Sequence, residues 1–140
     1  MARTLNVYLD PTRLPERAAF QAAIQKLGFP LRLDEAWAPF SAPDYLPCTL
    51  AGEDAGVNLR FERDAALPEA AAALQPQQGA RSALVGLSWS TDRREELAAT
   101  ILAAALVGSF DALALEPERG VRKSLSGLKA HARELYEGTF

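Results

Sequence analysis

The chain predicts an α/β fold of the α+β kind: a single-domain sandwich over residues 1–140, with a mixed sheet of about six strands and three main helices. Three observations carry this. Short runs of apolar residues alternate with polar ones at the two-residue period of strands, three longer stretches repeat their apolar residues at helical spacing, and turn residues separate the two kinds. A length of 140 residues suits one core and leaves little for a second.

The elements follow in order. Residues 4–10 alternate, with Leu5, Val7 and Leu9 on one face and Asn6 and Tyr8 on the other. Asp10-Pro11 ends this strand, and a helix follows from about Pro15, a residue suited to a first helical turn, with Glu16 near its positive end. Phe20, Ala23, Ile24 and Leu27 form its buried stripe, Arg17, Gln21, Gln25 and Lys26 its wet face, and Gly28 its left-handed stop. Residues 29–33 read as a strand, completing a β-α-β opening whose crossover is right-handed if the two strands are parallel.

Periodicity is then lost over residues 35–47, which hold Pro39, Pro43 and Pro47 together with Trp37, Phe40 and Tyr45. Residues 45–62 read as a β-hairpin. Leu46, Cys48 and Leu50 alternate on one arm and Val57, Leu59 and Phe61 on the other, joined by the glycine-bracketed connection Gly52-Glu53-Asp54-Ala55-Gly56. Asn58, Arg60 and Glu62 make the second face wet. A short helix starts at Pro68. Residues 82–90 are apolar on both faces and belong in the middle of the sheet. Asp92, with Glu95 three residues on, opens a long helix over residues 93–107. Residues 112–115 give another strand and residues 116–120 a charged turn. Leu125, Leu128, Ala132, Leu135 and Tyr136 mark an amphipathic C-terminal helix.

Composition narrows the function classes. Hydrophobic residues make up 49% and charged residues 24%, an ordinary globular balance. The net charge of −3 argues against nucleic-acid binding, because phosphate contacts need clustered Lys and Arg, and the densest group here is Arg119, Arg122 and Lys123. The apolar run 97–107 is about half a membrane span and reads as a buried helix. The N-terminal residues lack the pattern of a secretory signal, so a cytoplasmic location is expected. The lone Cys48, in an alternating strand, reads as a small buried hydrophobe.

Catalytic equipment is sparse. His131, the one histidine, falls at the margin of the last helix's apolar stripe, and nothing sets it beside Cys48 or a serine. The enzyme alternative is a hard-cation site formed by Glu53, Asp54, Glu116 and Glu118 if their two turns converge. Gly52 and Gly56 flank acids, which repel phosphate, and residues 120–127 lack the spacing of a phosphate loop. Trp37, Phe40 and Tyr45 either fold down as a lid over the core or stay exposed as interface anchors, with Asp34, Glu35, Asp44, Glu53 and Asp54 as their polar rim.

The run Leu27-Gly28-Phe29-Pro30-Leu31, the segments Tyr45-Leu46-Pro47-Cys48 and Gly52-Glu53-Asp54-Ala55-Gly56, and the late turn Glu116-Pro117-Glu118-Arg119-Gly120 resemble small bacterial cytosolic immunity proteins associated with polymorphic toxins. The resemblance implies a non-enzymatic protein that neutralises a cognate toxin domain by direct association, with no cofactor; no metal site is expected from the acidic turns. The residues expected to bind the partner, from exposure and charge, are Trp37, Phe40, Asp44, Tyr45, Glu53 and Asp54. Besides the metal-dependent enzyme, the other alternative is a homo-oligomeric scaffold in which the wet hairpin face pairs with its own copy as a dimer.

Overall fold

The computed structural model describes residues 3–40 and 45–140. Among them the chain runs β1 (Arg3–Leu9), a 3-10 turn (Pro11–Arg13), α1 (Arg17–Lys26), β2 (Leu31–Leu33), β3 (Tyr45–Leu46), β4 (Cys48–Leu50), β5 (Glu53–Asp54) and β6 (Val57–Glu62). A 3-10 segment (Glu69–Leu74), α2 (Gln75–Gln78), β7 (Ala83–Trp89), α3 (Arg93–Phe110), β8 (Leu113–Glu116), β9 (Val121–Lys123) and α4 (Leu125–Thr139) complete it. The strands form a six-stranded sheet, order β3-β6-β7-β1-β8-β9, and a three-stranded sheet, order β2-β4-β5. The fold is therefore α+β, with the doubly apolar β7 near the centre of the large sheet, as its composition requires.

Two finer expectations change. Among the described residues every pairing is antiparallel, so the large sheet is not mixed there and the opening β-α-β unit makes no parallel pair. The cause lies in β2, which leaves the large sheet to pair with β4. Gln21 holds it there: its amide donates to the Leu31 carbonyl at 2.9 Å and accepts from the Leu33 N–H at 2.7 Å. A side chain expected in water thus meets backbone groups of a strand bound to one other strand, which would otherwise be left bare.

The hairpin over residues 45–62 is also divided. Tyr45 and Leu46 pair with Asn58 and Val57 in the large sheet, whereas Cys48–Leu50 pairs with Glu53–Asp54 in the small one. The switch falls at Pro47, which has no N–H to give to a ladder. Ala51 and Gly52, at φ 51° and 85°, make the tight turn with both central residues left-handed, as the favoured two-residue hairpin loop demands.

The core lies on one face of the large sheet. Leu5, Val7, Leu9, Leu59, Val85, Leu87 and Trp89 face the helices there. Every residue of α3 from Leu97 to Leu106 is buried, because α3 packs against the sheet and also against α1, α4 and β4. Asp92 caps it by accepting from the Arg94 and Glu95 N–H groups. On the opposite face, Tyr8, Leu84, Leu113 and Leu115 form a smaller cluster under Ala71 and Leu74 of the 3-10 segment. Elsewhere that face carries exposed Asn58, Arg60 and Glu62. No helix among the described residues is long and apolar enough to cross a membrane.

Candidate functional site

The β4–β5 turn places Glu53 and Asp54 at an exposed corner. Glu53 is ion-paired to Arg94 in the first turn of α3, Oε2 to Nη1 at 3.0 Å. Tyr45, 42% exposed, lies beside them on the edge strand β3. Its phenol rests against the backbone of Gly56, where any Cβ would collide with it. Partial burial, then the carboxylate of Asp54, with smaller contributions from Cys48 and Glu95, raises the Tyr45 pKa above its ordinary value. Tyr45, Glu53, Asp54, Arg94 and Glu95 thus form one surface. The last two carry a helix-start signal in the sequence, which hides their part in it.

The other expected partner residues do not join this surface. Trp37 is only 8% exposed and packs on Phe20 and Phe40, with ring centroids 6.2 and 5.8 Å away. Phe40 is half-buried against Phe61 at 5.6 Å. The aromatic loop therefore takes the lid arrangement, because burying two large rings in an existing aromatic cluster gains more than leaving them wet. Asp44 lies outside the described residues.

Cys48 is buried, its Sγ 3.5 Å from the Ala55 carbonyl oxygen. Burial, then the charge of Asp54, pushes its thiol up to about 12, so it holds almost no thiolate near neutrality. We expect native protein at pH 8 to resist iodoacetamide, with alkylation appearing only on unfolding. Rapid labelling of the folded chain, read by intact mass, would contradict this burial.

A second feature escaped the sequence reading. At the end of the sheet where β1 begins, a cleft of about 670 Å³ opens between the β8–β9 turn, the start of α4 and the first turns of α3. Inside it His131 Nε2 lies 2.9 Å from Glu96 Oε2, and Arg3 Nη1 lies 3.6 Å from Glu96 Oε1. Glu96 comes from α3 and His131 from α4, so only the packing of the two helices unites them. Ser124 also lines the cleft. It precedes His131 by two helical turns, roughly 10 Å of rise, which excludes direct proton transfer between them in this geometry. Ser124 instead caps α4, its Oγ accepting the Gly127 N–H at 3.1 Å.

The four acids of the cation alternative divide between these places. Glu116 and Glu118 line the cleft, where Glu116 Oε2 accepts the Arg119 N–H at 2.6 Å, while Glu53 and Asp54 stand at the corner. No group of three or more His, Cys, Asp or Glu side chains with metal-holding geometry occurs among the described residues. No family model matches the chain, and no curated protein or solved structure matches it either.

Proposed function

We propose that this protein works by binding another protein through the Tyr45–Asp54 corner, without catalysing a reaction, and that the partner presents a basic surface. The observation that carries the reading is an exposed tyrosine held on a glycine backbone and flanked by Glu53, Asp54 and Glu95, with Arg94 ion-paired to Glu53 beside them. A rigid amphipathic ring within a charged rim is the usual make-up of an interface anchor. The carboxylates would speed capture of a cationic partner. A toxin domain neutralised by association is the partner that the sequence resemblance implies. Self-pairing of the wet hairpin face into a dimer fits less well, since that face carries exposed Asn58, Arg60 and Glu62, with Arg60 already ion-paired to Glu62 at 2.7 Å.

Co-expression with the product of the adjacent upstream gene tests the reading by rescue of growth and isolation of a complex. Tyr45→Ala should then weaken the complex by about 2 kcal/mol, roughly thirtyfold. Glu53→Lys combined with Asp54→Lys should mainly slow association. Both variants should melt within a few degrees of the parent, because exposed substitutions shift stability by only about 0.5 kcal/mol. Unchanged affinity in both would move the interface elsewhere, and a chain that neither rescues nor binds would end the toxin reading.

A further inference from the structure

We propose that the cleft between the start of β1, the β8–β9 turn and α4 binds a small molecule with an anionic head and an aromatic-sized apolar body. Its volume, about 670 Å³, falls in the range of small-molecule sites rather than that of a single ion. The charges at its mouth are unevenly matched. Arg119, Arg122 and Lys123 line it, and none has a carboxylate within salt-bridge distance among the described residues. Of the three carboxylates that line it, Glu96 is engaged by Arg3 and His131 and Glu116 by the Arg119 N–H, while Glu118 has no ion pair among the described residues. With Arg3, the cations in the lining number four against the three carboxylates Glu96, Glu116 and Glu118, so the cleft is net positive on a chain whose net charge is −3.

Deeper in, the wall turns apolar. Leu5, Trp89 and Leu128 are buried side chains that line it. The indole N–H of Trp89 is buried without an acceptor, an unfavourable state for a group that can only donate. A ring laid against the Trp89 wall would change the surroundings of this N–H. His131, with Nε2 tied to Glu96, keeps Nδ1 for a further hydrogen bond at the rim. The arrangement sorts ligands by chemistry: an oxyanion for the cations, a flat apolar body for the Trp89 wall.

The test uses the full chain, labelled with nitrogen-15 and titrated with phenyl phosphate, inorganic phosphate and phenol at constant ionic strength. Phenyl phosphate should shift the Trp89 indole N–H together with the Lys123, Ser124 and Gly127 amides, and should bind more tightly than either fragment. Arg122→Ala with Lys123→Ala should weaken it by about tenfold or more, the loss of a charge-assisted contact. Arg119→Ala serves as a second variant should that pair fail to fold. Binding unaltered by these variants, shifts mapping outside the cleft, or equal shifts with sodium chloride alone would overturn the proposal. Corner variants such as Tyr45→Ala should leave this titration unchanged, which separates it from the protein-binding reading.

Discussion

Ile101→Asp should abolish the folded state at 25 °C. Ile101 is wholly buried in the middle of α3, the helix that touches the large sheet, α1, α4 and β4. The substitution removes burial worth about 1.5–3 kcal/mol and places a carboxyl group inside the buried apolar cluster. Burying an unpaired polar group costs about 2–7 kcal/mol more, against a total stability of roughly 5–15 kcal/mol for a domain of ordinary size. Far-UV circular dichroism and thermal melting read the outcome: loss of the cooperative transition is expected. Ile101→Val, which removes one methylene, should lose only about 0.5–1.5 kcal/mol and melt cooperatively. A normal melt for Ile101→Asp would mean that α3 is not the packed centre of the domain.

The same helix shows why much of the fold was legible. A run of apolar residues too short for a membrane, opened by Asp92 and set after a doubly apolar strand, has few ways to bury itself, and the structure adopts one of them. Local signals such as the Gly28 stop and the Asp92 cap act within a few residues and survive into three dimensions. Partner choice between strands does not act locally. Nothing in the composition of residues 29–33 distinguishes a strand parallel to β1 from one paired with β4, and the deciding contact, Gln21 to Leu31 and Leu33, is a side-chain bond across a turn. The edge strand β9 was missed for a related reason, since exposed Val121 and Arg122 leave no apolar alternation to read.

Of the expected interface, Tyr45, Glu53 and Asp54 remain on the surface, and Trp37 and Phe40 do not. An aromatic residue in a proline-rich loop carries no periodicity to say which way it faces; the rings of Phe20 and Phe61 on α1 and β6 decide it. The cleft was harder still. Its central pair, Glu96 and His131, is 35 residues apart in the chain. The one local signal was the cation group over residues 119–123, which is too short to indicate nucleic acid yet sits at the cleft's mouth.

Gly120→Ala should cost about 3 kcal/mol and lower the melting temperature by about 10 °C. Two effects add. Gly120 has φ 67°, where an alanine pays about 1–2 kcal/mol for the left-handed backbone. A Cβ there would also run into the Ala70 carbonyl and the Ala71 N–H, which are backbone and cannot rotate away. Relief requires the β8–β9 turn to lift from the 3-10 segment, and that segment covers Tyr8, Leu84, Leu113 and Leu115 with Ala71 and Leu74. Gly52→Ala separates the two effects, because Gly52 shares a left-handed φ, 85°, but has open space around its Cβ position. It should lose only the backbone part, about 1–2 kcal/mol. If the two variants melt alike, the turn does not rest on Ala70. If Gly120→Ala is clearly worse, the wall of the cleft and the cover of the outer sheet face are one mechanical unit, and a ligand drawn to Arg119 and Arg122 would brace both.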